Sequence, residues 1–293
     1  MIYFSKKYFF LLVFVVFPSS QNLKIDQSIQ NGIYDLYSYN FSSSTKHLNT
    51  VLDLDQSNAI APFLLIVNDW LMNQTEFGYN ESYEAIISGV ENTIPIYKAL
   101  ISDYPNKAEY YLFLGSTYGL KARVSLASKD WLDVLYSGYA GIKYIKEAKK
   151  MDSRLYDVNL SIGLLEYFLC ISSVPIQFVG KVMGFKCDCE VGKENLELAL
   201  KESKYAWIES ANILSYIYLY FERDYDNALR TSSLLVDNFP DHPLFIFLKA
   251  ESLAKSNRWD EVNKILPKLE HIVENNKLLL KNEVELKLKH IYV

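Results

Sequence analysis

The sequence predicts an all-α protein built from about 12 antiparallel helices in stacked pairs, and three observations carry that expectation. From Asp26 onward, apolar residues recur at helical spacing while strand-like alternation is scarce; "IKYIKEAKKM" (142–151) and "NKILPKLEHIVENN" (263–276) each set an apolar face against a polar one. Breaker clusters then divide the pattern into segments of roughly 12 to 22 residues with short connections. They are "DLDQSN" (53–58), "DYPNKA" (103–108), "KMDSR" (150–154), "NFPDHP" (238–243) and "KSNRW" (255–259). The C-terminal half also repeats itself at a constant offset of 34 residues, from Leu214 to Leu248 and from Leu235 to Leu269. A chain of 293 residues with 11 glycines and 8 prolines is long enough to bury a large core on that plan.

The N-terminal element is read as a targeting segment. Lys6 and Lys7 precede the apolar run "YFFLLVFVVF" (8–17), which is followed by "PSSQ". That is the order of a secretory signal peptide, expected to span residues 1–20 with cleavage near Ser19 or Ser20. The run is too short to cross a bilayer comfortably, and no cysteine follows it to take a lipid anchor. Losing Lys6 and Lys7 would take the formal charge from −5 to −7. Residues 21–293 are then expected to form one exported helical-repeat domain, with no second segment apolar enough to span a membrane.

The helical elements follow in order. In "NGIYDLYSYNFSSSTKHLNTVLDLDQSN" (31–58), Gly32 is the small residue of a first helix, and Phe41, Ser44, Leu48 and Val51 mark a second. "LGSTYG" (114–119) puts Leu114, Gly115 and Tyr118 in a first helix; Gly141, Ile145 and Ala148 mark its successor. Gly163, then Gly192, Leu196 and Ala199, repeat the theme across an interruption at 171–188. In the last two units Tyr225 aligns with Trp259 and Ala228 with Val262, and Phe239-Pro240 closes the earlier one. That unit carries one extra residue between Tyr218 and Ala228. A mid-helix glycine such as Gly115 costs about 1 kcal/mol relative to alanine. A neighbouring helix that needs close backbone approach at that point offsets the cost.

These residues resemble the tetratricopeptide repeat (TPR) family, whose signature is Leu-Gly-x-x-Tyr in one helix and small and apolar positions in the next. "LGSTYG" is the clearest match, with "YDNALRTSSLLVDNFP" (225–240) and "RWDEVNKILPKL" (258–269) behind it. The chain is similar to divergent exported bacterial proteins of this kind. The resemblance implies a TPR-like α-solenoid whose first helices line a concave groove. On matching registers the groove residues are Ile33 and Tyr37, then Glu109, Ser116 and Leu120, then Tyr216, Tyr220, Glu251 and Lys255. It also implies a non-catalytic scaffold that binds a protein or peptide in the cell envelope, periplasmic or outer-membrane-associated, or secreted in a eukaryote. Tyrosines with a polar tip and a broad apolar face suit that work.

Other features bear on function class. No block of basic residues stands out, which argues against a nucleic-acid partner. The four histidines, His47, His242, His271 and His290, are scattered without the i, i+4 partner of a helical metal site, and His242 reads as a helix cap. Nucleophile-elbow, Walker and dinucleotide motifs are missing, so neither catalysis nor a cofactor is expected. Glu166 and Tyr167 in "GLLEYFLC" (163–170) set a carboxylate on an apolar helix, either at its solvated edge or as a buried acid. Cys170, Cys187 and Cys189 leave three readings open: a disulfide from Cys170 to either of the others, free thiols, or a three-thiolate metal site. The nearly uncharged insertion "ISSVPIQFVGKVMGF" (171–185) either folds back over a helix pair or makes a peripheral membrane or partner contact. That insertion and the aromatic excess support an alternative, an envelope module for a lipid or small apolar ligand. The final segment, "KLLLKNEVELKLKHIYV" (277–293), is expected to be covered by self-association or by a partner.

Overall fold

The computed structural model describes residues 20–275. The expected signal peptide (1–20, save its last residue) and the terminal segment 277–293 lie outside the described residues. Regular structure among these is helical throughout, with no strand. The helices are α1 (Ser20–Tyr37), α2 (Phe41–Leu54), α3 (Ala61–Glu76), α4 (Tyr79–Asp103), α5 (Ala108–Ala127), α6 (Trp131–Met151) and α7 (Val158–Cys170). They continue with α8 (Val174–Val182), α9 (Cys189–Glu202), α10 (Trp207–Tyr216), α11 (Tyr225–Asn238), α12 (Pro243–Lys255) and α13 (Trp259–Asn275). Adjacent helices pack in pairs, α1 on α2, α3 on α4, α5 on α6, α7 on α9, α10 on α11 and α12 on α13. The short helix α8, inside the interruption at 171–188, stands apart from the pairing and brings the described count to 13. No described helix is long and apolar enough to cross a membrane.

Close approach within the pairs accounts for the glycines. A Cβ on Gly115 would lie 2.7 Å from the backbone oxygen of Gly141, and one on Gly163 would lie 2.7 Å from that of Gly192. Glycine in both facing helices lets the backbones touch, a gain that exceeds its loss in helix propensity.

The turns inside the pairs share a device that periodicity does not show. Each carries a residue with positive φ: Tyr39, Gly78, Lys129, Cys187, Arg223 and Asn257. At Tyr39, Lys129, Arg223 and Asn257 the left-handed residue follows the end of the first helix, as a C-terminal cap normally does. In three turns an aspartate follows and caps the next helix, Asp130 accepting from the Asp133 amide, Asp188 from Glu190 and Val191, and Asp224 from Asn227.

α10 is the pivotal element. The segment leading into it is held by the residue before α7: the Asp157 carboxylate accepts the backbone N–H groups of Lys204, Tyr205 and Ala206 at 3.1, 2.8 and 2.9 Å. The end of α10 runs into a π-helical turn, Ile217–Glu222. That turn occupies the stretch holding the extra residue of the 214–240 unit, and a one-residue insertion in an α-helix is commonly absorbed this way.

α1 does not stop at its own pair. Tyr37 meets Phe239 and Phe245 with ring centroids 5.1 and 6.1 Å apart, and Tyr39 meets His242 at 5.1 Å. The first helix thus rests against the start of α10 and the α11–α12 connection, and the buried cluster around Leu48, Leu114 and Ala148 runs on into Ile208, Leu235 and Phe245.

Candidate functional site

Four residues of α10 and its π-helical extension, Glu209, Asn212, Tyr216 and Tyr220, recur at helical spacing and form one half-exposed strip. From Glu209 to Tyr220 the strip is about 16 Å long at 1.5 Å per residue. At one end the Tyr37 hydroxyl donates to Glu209 Oε1 at 2.5 Å, and Asn212 Nδ2 donates to Oε2 of the same carboxylate at 3.4 Å. Burial and the Glu209 carboxylate hold the Tyr37 phenol well above its ordinary pKa. At the other end Tyr216 stacks on Tyr220 with centroids 5.8 Å apart. The Tyr220 hydroxyl donates to the buried Glu251 carboxylate of α12, and burial with that bond raises the phenol's pKa.

Sequence-predicted groove residues divide accordingly. Tyr37, Tyr216, Tyr220 and Glu251 belong to the strip. Glu109 lies exposed in the first turn of α5 and Ser116 half-buried further along it; neither side chain makes a hydrogen bond or ion pair among the described residues. Ile33 is buried, Leu120 packs beside Ile66 and Val124, and Lys255 is exposed at the end of α12. Glu209 and Asn212 were not singled out, although they stand seven and four residues before Tyr216, the spacing that extends its face. A cleft of about 140 Å³ lies beside the Tyr37 end, walled by Tyr34, Trp207 and Phe239. Sites for drug-sized molecules run from roughly 300 Å³, so this cleft is small beside them.

The interruption at 171–188 forms a second structure of interest. Cys170 and Cys189 are joined by a disulfide that closes its two ends, and Cys187 is a free thiol. The three-thiolate metal reading falls with that pairing, because two of its ligands are bonded to each other. Glu166 is neither solvated nor paired with a lysine. It is buried, and its two carboxylate oxygens accept the backbone N–H groups of Lys186 at 3.0 Å and Cys187 at 2.8 Å. Gln177 donates to the carbonyls of Cys170 and Ser172, and Lys146 of α6 donates to those of Met183 and Gly184. Partial burial lowers the Lys146 pKa, and Glu166 opposes that shift. The insertion is therefore anchored at its base, to α7 through Glu166 and to α6 through Lys146.

Among the described residues no group of three or more His, Cys, Asp or Glu is placed to hold a metal ion. His242 caps α12 through Nδ1, which accepts the Phe245 N–H at 3.4 Å. No protein-family model matches the chain, and comparison with curated proteins returns no match.

Proposed function

We propose that this chain is a non-catalytic, TPR-like α-solenoid that binds a segment of a protein partner along the α10 strip, in an exported setting. The observation that carries the reading is the strip itself. It is half-exposed, it sets the stacked pair Tyr216 and Tyr220 beyond a carboxylate and an amide, Glu209 and Asn212, and its two ends are fixed by the Tyr37–Glu209 and Tyr220–Glu251 bonds. Such a surface offers broad contact area at low side-chain entropy cost. Its length matches about five residues of extended peptide at roughly 3.3 Å each. Six helix pairs with a positive-φ residue in every intra-pair connection support the repeat architecture. The Cys170–Cys189 disulfide supports an oxidising compartment.

The test is selection of a random peptide library on the immobilised chain, followed by affinity measurement on variants. Peptides that share a motif, and bind Tyr216→Ala at least tenfold more weakly while Glu109→Ala binds them normally, are expected. Failure to enrich any motif, or affinities indifferent to Tyr216→Ala and Tyr220→Ala, would remove the strip as the binding site.

A further inference from the structure

The insertion helix α8 faces outward in a way the peptide-binding reading does not use. Val174, Phe178 and Val182 succeed one another at one-turn intervals and are 77%, 68% and 74% exposed. Ile171, Ile176 and Val179 widen the same apolar surface. Large apolar side chains this exposed, side by side, mark a docking surface rather than scattered surface residues. The presentation is rigid, because the disulfide, Glu166, Gln177 and Lys146 hold the base from four directions.

A second exposed apolar surface lies on α6, the helix that holds the end of α8 through Lys146. On α6, Leu132, Leu135, Tyr136 and Tyr139 are all exposed at helical spacing, with Trp131 at their head. The same face continues through Lys143 to Lys146, two turns beyond Tyr139, and the Lys146 ammonium grips the end of α8. Lys146 thus ties α6 to the segment that follows α8, about 10 Å along α6 from Tyr139.

Charge selects the occupant. Residues 167–187 contain Lys181 and Lys186, both exposed, and no aspartate or glutamate, in a chain whose formal charge is −5. Lys143 adds a third exposed cation on the α6 face. The α8 face itself carries Lys181 and no acidic side chain, while the exposed carboxylates nearest in sequence, Glu147 on α6 and Asp188 and Glu190 at the start of α9, lie outside residues 167–187. An apolar helix face of that kind suits the boundary between acyl chains and anionic headgroups. A protein interface carries roughly one hydrogen bond per 100–200 Å², and the outward residues of α8 offer few groups to make them. We infer that α8 docks onto an anionic lipid surface. The nine residues of α8 are too few to span a bilayer and would lie in its plane.

The experiment places a Phe178→Trp reporter in the full chain. Residues 8–17 are themselves apolar, so a local reporter is needed in place of flotation. Vesicles of phosphatidylcholine, alone or with about a third phosphatidylglycerol, are titrated in. The expected result is a blue shift of the added fluorescence on anionic vesicles, with quenching by brominated lipid. Adding Val174→Ser and Val182→Ser should weaken the midpoint about tenfold or more. Adding Lys181→Ser and Lys186→Ser should weaken it severalfold on anionic vesicles only. An unshifted reporter with both vesicle types would overturn the inference. So would a concentration-dependent dimer that dissolves in Val174→Ser/Val182→Ser without any vesicle response, which would give the face to a second copy. Equal shifts on both vesicle types would overturn the anionic assignment.

Discussion

Two glycines of α5 make opposite demands on the same helix. At Gly115 a methyl group would enter the backbone of α6, whereas around Gly119 nothing lies within 4 Å of an added Cβ. Gly115→Ala is expected to destabilise by about 1–3 kcal/mol through overpacking, and Gly119→Ala to stabilise by up to about 1 kcal/mol through helix propensity. Urea melts of both variants check the pair. His242 is the second residue with a sharp consequence. It is buried against Phe245, ring centroids 3.7 Å apart, and burial takes its pKa from 6.5 to about 3. Between those values the unfolded chain carries a proton that the folded chain refuses. Stability therefore rises with pH across this window and is lost on acidification at about 1.4 kcal/mol per pH unit. His242→Asn keeps a capping acceptor and should flatten the profile between about pH 6.5 and 5, above the range where a carboxylate held low, such as Glu222, begins to titrate. Chemical denaturation at three pH values in that window measures the slope.

Elements were legible in proportion to how local their causes are. Breakers such as "NFPDHP" and "DYPNKA" fall between the observed helices because proline and its neighbours exclude helical backbone locally. The odd residue in the 214–240 unit announced an irregularity, and the π-helical turn is there. Short α8 was not foreseen as a helix: nine residues with Pro175 near the start give periodicity too little length to register. Nor were the left-handed caps at Tyr39, Lys129, Arg223 and Asn257, since residues with side chains adopt that conformation only when surrounding contacts impose it. The hold of Asp157 on the segment leading into α10 is the element-scale feature most open to test. Asp157→Ala leaves three backbone N–H groups without their acceptor and should destabilise by roughly 2–4 kcal/mol. Asp157→Asn, retaining one acceptor oxygen, should lose less; thermal melts rank the two.

At the scale of the whole molecule, the contact least visible in the sequence is the one between α1 and α10. Tyr37 and Glu209 are 172 residues apart, and nothing in the spacing of either helix links them. Resemblance to a repeat family suggests the opposite, because neighbours in a stack of repeats touch only neighbours. The candidate strip was thus half legible: Tyr216, Tyr220 and Glu251 follow from register, while its Tyr37–Glu209 end depends on chain closure. This closure has a thermodynamic signature. Amide exchange in α1 should be as slow as in α10, and Tyr37→Ala should accelerate exchange in α1 selectively, as release of a local unit does.

The tyrosine bonds give the molecule one further property. Six phenols, those of Tyr37, Tyr97, Tyr167, Tyr205, Tyr218 and Tyr220, are held above their ordinary pKa by burial, four of them further by donating to a glutamate on another helix. Their stabilising bonds persist below pH 10 and are lost only as alkali rises through the elevated values. Phenolate absorbance should therefore climb in two stages with added base, the reluctant rings appearing only as the helices part. The protein carries a built-in optical gauge of its own helix contacts, readable without any label.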